Sequence, residues 1–159
     1  MKTKLFFSLM IIAVVFSACK GEKGDIGPQG NSGSANVSAF IVTINPGQWA
    51  SSTAGYWGVS WTAPEITNAN ADVVQVYMQG TSGGDWWGLP TTNFFAAGDA
   101  IDFSYTTGSV SILYTNTTFP PQTVAFKTVV IPPAIARDHP EVDYNNYRDV
   151  KAIFNLADL

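Results

Sequence analysis

Few residues in this 159-residue chain are of types that do chemistry. The only histidine is His139, within Arg137-Asp138-His139-Pro140. Nucleophilic hydrolysis needs a base beside its nucleophile, oriented in turn by an acid. His139 instead adjoins its acid in a proline-flanked polar connection, which suits a solvated loop histidine. A zinc site needs three or four His, Cys or carboxylate ligands, and His139 with the single cysteine, Cys19, does not supply them. Calcium needs only oxygens. Asp138, Glu141 and Asp143 are close in sequence, as are Asp99 and Asp102, but neither group has an Asp-x-Asp-x-Asp-Gly pattern, and solvated turn carboxylates account for both. Glu65, Asp72, Asp85, Asp99 and Asp102 are carboxylates of the kind that cleave glycosidic bonds in pairs, yet no spacing pairs them. No catalytic residue, metal site or cofactor is therefore expected, and the chain reads as a non-enzyme.

The aromatic residues make up 13% of the chain and include five tryptophans, Trp49, Trp57, Trp61, Trp86 and Trp87. Flat apolar rings on a β-sandwich pack in its core or stack on sugar faces, where nearby Asp, Asn and Gln bind hydroxyls. Trp57 and Trp61 share a strand face with Val59, and core packing explains them. Trp86 and Trp87 must point to opposite faces if extended, because side chains alternate along a strand. At most one of them fills a sandwich core. The other is exposed or covered by a loop or a partner, so Trp86 and Trp87 are the candidate ligand-binding residues.

Cys19 raises a different chemistry. Lys2 and Lys4 form a basic start, and residues 5–18 are apolar apart from Ser8 and Ser17. Fourteen residues fall short of the roughly 20 that cross a bilayer as a helix, so the segment reads as a signal peptide. Phe16-Ser17-Ala18-Cys19 then resembles the lipobox of bacterial lipoproteins. That resemblance implies a thioether-linked diacylglycerol on the cysteine, cleavage before it and acylation of the freed amine. Two or more acyl chains anchor stably, each buried methylene contributing about 0.8 kcal/mol. A lone cysteine in an exported chain forms no disulfide, and lipidation removes the liability of a free thiol.

The elements that would carry such residues follow in order. Gly21, Gly24, Gly27, Gly30 and Gly33 recur every third residue, which resembles a collagen-like tract, where only glycine fits the triple-helix axis. With one proline, Pro28, and few triplets, it reads chiefly as a disordered polar tether. Extended, residues 19–35 would reach roughly 50 Å. Thereafter short alternating runs at residues 40–44, 56–62, 72–79, 100–106, 110–114 and 123–131 are separated by Gly, Pro and Asn turns. Thr107-Gly108 reads as a tight hairpin turn. Tyr147, Val150, Lys151 and Phe154 follow i, i+3, i+4, i+7 spacing, with Asn145 or Asn146 as N-cap. The fold class expected is all-β, an antiparallel β-sandwich of jelly-roll or Ig-like type with one short C-terminal helix. The domain plan is a signal peptide over residues 1–18, a lipidated cysteine and Gly-x-y spacer over 19–36, and the sandwich over 37–159.

Charge bounds the partners. The net charge is −4, and no Lys or Arg lies between Lys23 and Lys127. Phosphate backbones require basic residues, so nucleic acid is excluded as a partner. Together, the lipobox, the Gly-x-y tract and an all-β domain resemble small lipoproteins of Bacteroidota. The resemblance is carried also by Trp87-Gly88-Leu89-Pro90, Phe126-Lys127-Thr128-Val129-Val130-Ile131 and Tyr147-Arg148-Asp149-Val150-Lys151…Phe154. It brings no catalytic residue. It implies a cell-envelope protein held in the outer membrane by lipid on Cys19 and displayed at the surface. The expected role is a non-catalytic structural or interaction module. Its partner beyond the membrane would be a glycan, bound through an exposed tryptophan, or another envelope protein. A monomer is expected, with a trimeric stalked head as the alternative.

Overall fold

The computed structural model describes residues 36–80, 84–118 and 120–157. The sequence-predicted signal segment, Cys19 and the Gly-x-y tract lie outside them. The described strands are β1 (Ser38–Ile44), β2 (Ala50–Thr53), β3 (Tyr56–Ala63), β4 (Val73–Gln79), β5 (Trp87–Gly88), β6 (Thr91–Thr92), β7 (Ala100–Thr106), β8 (Gly108–Thr115) and β9 (Val124–Ile131). They form two antiparallel sheets, in the orders β1-β9-β4-β5 and β2-β3-β8-β7-β6. The expected all-β sandwich is the fold.

Period-two patterning explains the five-stranded sheet. Trp57, Val59, Trp61 and Ala63 of β3 and Val110, Ile112 and Tyr114 of β8 turn inward, while Ser60 and Ser111 meet on the outer face with hydroxyls 2.9 Å apart. Thr106 pairs with Ser109 across the two-residue loop Thr107-Gly108, where Gly108 takes a φ of +79° without steric cost.

The four-stranded sheet follows another rule. Every residue of β9 is buried except the half-buried Ala125, and β4 is buried from Val74 to Met78. Near-continuous burial means that both faces are covered. One face meets the five-stranded sheet around Phe126, which lies 5.6 Å from the Trp61 ring and 6.2 Å from the Trp49 ring. The opposite face carries Tyr77, Val129 and Ile131 under the C-terminal segment.

That segment contains α1 (Pro133–Asp138) and α2 (Tyr147–Phe154). The helix α2 is the one expected from spacing. Asn146 caps it by accepting from the Arg148 backbone N–H at 3.1 Å, and Tyr147, Val150, Phe154 and the following Leu156 are buried against the sheet. The six-residue α1 has too few turns to show a period, and it begins at Pro133, a residue suited to the first helical turn. Sequence periodicity therefore passes over it, as it does over the four-residue β2 and the two-residue β5 and β6.

Tyr77 joins sheet and cover: its hydroxyl donates to the Tyr144 carbonyl at 2.6 Å. Burial, and then the neighbouring Tyr147 and Asp143, push its phenol well above the ordinary tyrosine range. Tyr114 is raised too, by burial and then by Asp99. A phenol whose pKa is raised on folding holds its proton more tightly in the native state. The stability it contributes is complete below pH ~10 and is lost as pH rises above that. Urea unfolding is expected to show no contribution to pH dependence from these tyrosines below pH ~10 and a progressive loss above it. Tyr77→Phe should flatten that alkaline loss while costing roughly 0.5–1.5 kcal/mol at neutral pH for the missing hydrogen bond.

Candidate functional site

Trp86 and Trp87 sit where the four-stranded sheet ends. Among the described strands, β5 pairs with β4 alone, through Tyr77 opposite Gly88 and Met78 opposite Trp87. Because neighbours alternate, the two tryptophans part. Trp86 turns to the helical layer, half-buried, with its ring 5.9 Å from that of Tyr147. Trp87 turns the other way and is 55% exposed, the most exposed large hydrophobic residue among those described.

Two devices hold this edge. Gly88 lets the loop before α2 lie directly on β5, since a Cβ there would stand 2.5 Å from the Asn145 carbonyl oxygen. Arg148 on α2 donates through Nη2 to Asp85 at 2.8 Å, joining the helix to the chain just before Trp86. Both side chains are well exposed, so the pair contributes at most about 1 kcal/mol and acts mainly by orientation.

Trp87 is also tied to the core through rings. It lies 6.3 Å from Phe94; Phe94 lies 5.0 Å from Phe95; Phe95 lies 5.7 Å from Tyr114; and Tyr114 lies 6.1 Å from Trp49. Edge-on aromatic pairs of this kind are worth about 0.5–1.5 kcal/mol each beyond area burial. The Phe94-Phe95 loop is held by Asp99, only 1% exposed, whose carboxylate accepts from the backbone N–H groups of Phe94, Phe95 and Ala96 at 2.8, 2.8 and 2.9 Å.

Beneath Trp86 lies Lys127, in the middle of β9 and only 2% exposed. A buried ammonium requires compensation. Its Nζ donates to the Tyr147 hydroxyl at 2.6 Å and stands 4.5 Å from the Trp86 ring centroid and 4.4 Å from that of Tyr147. Cation–π attraction of this kind contributes from about 0.5 to 2 kcal/mol as the site becomes desolvated. Lys127 therefore binds strand, tryptophan and helix α2 into one unit.

Over this unit opens a cleft of about 560 Å³, lined by Asp85, Trp86, Trp87, Asn146, Tyr147, Arg148 and Lys151, with Gly84 at its rim. Its lining brings two tryptophans and a tyrosine together with amide, carboxylate and cationic side chains. Such a surface can stack a flat ligand and bond to its polar rim. The structure thus brings both sequence-predicted tryptophans to one cleft and adds Asp85, Tyr147, Arg148 and Lys151, which sequence reading had not assigned to it. One signal for Lys127 was present in sequence: a lone charge inside a run that is apolar on both parities.

The other candidates lie elsewhere. His139 is half-buried, with Nδ1 3.2 Å from Glu141 Oε1 and its ring 5.4 Å from Phe154. The Glu141 carboxyl is held below its ordinary range by a backbone hydrogen bond and then by His139. Asp72 accepts from the backbone of Thr67 and Asn68 at 3.0 and 2.9 Å, and Asp102 from that of Phe103 at 2.7 Å. Glu65 is half-buried, with Oε2 lacking a hydrogen-bond partner. Among the described residues, no group of three or more His, Cys, Asp or Glu could hold a metal ion.

Comparison of the chain with protein-family models, with curated proteins and with solved structures returns no match.

The role given to Lys127 is testable. Truncation to alanine opens a void and frees both rings, so Lys127→Ala is expected to cost roughly 2–5 kcal/mol. Lys127→Met refills most of the space but removes the ammonium, so the cost it keeps, roughly 1–3 kcal/mol, measures the bond to Tyr147 and the cation–π contacts. Urea denaturation of the two variants measures both costs, and a Lys127→Met variant as stable as the parent protein would show that the charge does not hold the unit together.

Proposed function

We propose that this protein is a lipid-tethered, non-catalytic module of the cell envelope that binds a glycan through the Trp87 cleft. The observation that carries the binding reading is the exposure of Trp87 beside polar side chains at the β5 edge. An indole that is more than half exposed yet braced by Phe94 loses little freedom on binding, which favours its use as a stacking platform. Asp85, Asn146 and Arg148 line the same cleft as Trp87 and carry groups that bond to sugar hydroxyls.

The tether belongs to the same proposal. Phe16-Ser17-Ala18-Cys19, the apolar segment before it and the absence of any second cysteine support lipidation at Cys19. The Gly-x-y stretch would then hold the sandwich away from an outer-membrane surface. The non-catalytic reading is supported by how the carboxylates are used: Asp72 and Asp99 serve backbone N–H groups, and Asp85 serves Arg148.

Two measurements test this. On a glycan array, the full lipoprotein in detergent is expected to bind at least one saccharide class. Trp87→Ala should abolish that binding and Trp86→Ala should weaken it. Binding indifferent to Trp87→Ala, or no binding to any glycan, would sink the proposal. Cys19→Ser should move the protein from the detergent phase to the aqueous phase on phase partition and remove incorporation of labelled palmitate.

A further inference from the structure

The described residues include four basic side chains, Lys127, Arg137, Arg148 and Lys151. Arg137 faces Asp138 at 3.5 Å on α1. The other three converge on the Trp87 cleft: Arg148 and Lys151 line it, and Lys127 lies under the Trp86 and Tyr147 rings. Among the described acids, Asp85 alone lines the cleft. The chain as a whole carries −4. Cationic groups concentrated at one concave site of an acidic protein create a local positive field that draws anions.

From this we infer that the cleft takes an acidic saccharide, a sugar ring bearing a carboxylate; the inference rests on the glycan reading above. The ring would stack on Trp87, and its carboxylate would meet Arg148. A guanidinium has five N–H donors, and the contact with Asp85 is made from Nη2. The Arg148 side chain is 81% exposed, so the rest of its fork is open to a planar carboxylate. The Lys127 ammonium is screened little by solvent, because it is buried, and it makes the aromatic floor more positive. A neutral sugar would use the indole and the hydrogen bonds but would gain nothing from three cations gathered against the charge of the rest of the molecule. Nucleic acid would need a longer basic track than three side chains provide.

The test compares polymers that differ only in charge. The full lipoprotein in detergent is titrated with polygalacturonate and with its methyl ester, in which the carboxylates are capped. Alginate, hyaluronan, single-stranded DNA and phosphatidylglycerol vesicles are run alongside. At least one polyuronate is expected to bind tenfold or more tighter than a neutral polymer, with the advantage lost in high salt. Arg148→Gln should reduce that advantage roughly tenfold, the loss of one charge-assisted bond, and Trp87→Ala should remove binding altogether. Circular dichroism of both variants checks the fold, and both substituted side chains are exposed. Equal binding to charged and neutral glycans would overturn the inference and leave the glycan reading standing. So would equal binding to DNA or vesicles, which marks an unspecific anion patch. No binding to any saccharide would overturn both.

Discussion

The four-stranded sheet has to be covered twice. The strands β9 and β4 carry apolar side chains on both faces, and leaving either face in water would forfeit about 25 cal/mol for each Å² of apolar surface. The five-stranded sheet meets one face and the C-terminal segment meets the other. The connections follow from that. The strands β2, β3 and β6–β8 build the first cover, and the chain after β9 turns back as α1 and α2 to make the second. The cleft lies where this second cover meets the short strand β5.

Lys127 is the departure from that apolar rule. Residues around it in β9 can satisfy burial with hydrocarbon, but an ammonium cannot, and the surrounding structure is arranged to compensate it. The Tyr147 hydroxyl accepts from it, and the π faces of Tyr147 and Trp86 close over it. Position of the tryptophan and position of helix α2 are thereby coupled through one charge. Gly88 allows the approach, and the contact between Asp85 and Arg148 orients its outer edge. On the other side of the sheet, the rings from Trp87 through Phe94 and Phe95 to Tyr114 brace the exposed indole against the core, with the Asp99 carboxylate holding the loop that carries them.

Much of the fold was legible because strand alternation is a local property. The runs that became β1, β3, β4, β7, β8 and β9 show period two or continuous β-branched character, and α2 shows its helical stripe and its asparagine cap. Elements of two to six residues were not legible, because β2, β5, β6 and α1 are too short to display a period and depend on what they pack against. At the candidate cleft, the sequence shows the Trp86-Trp87 pair and, for an extended chain, the divergence of the two rings. It does not place Asp85, Arg148 and Lys151 there, since Asp85 and Arg148 stand 63 residues apart and nothing local joins them.

Sequence alone determined that the strands are amphipathic or doubly apolar, that the helix has one buried stripe, and that neighbouring tryptophans point apart wherever the chain is extended. Each follows from the backbone period and from side-chain polarity, which need no knowledge of distant residues. Only the tertiary structure decided which tryptophan remained in water, and that Lys127 would be compensated by a tyrosine twenty residues away. These depend on where one surface stops covering another. That limit is set by the packing of whole layers, and no short stretch of sequence carries it.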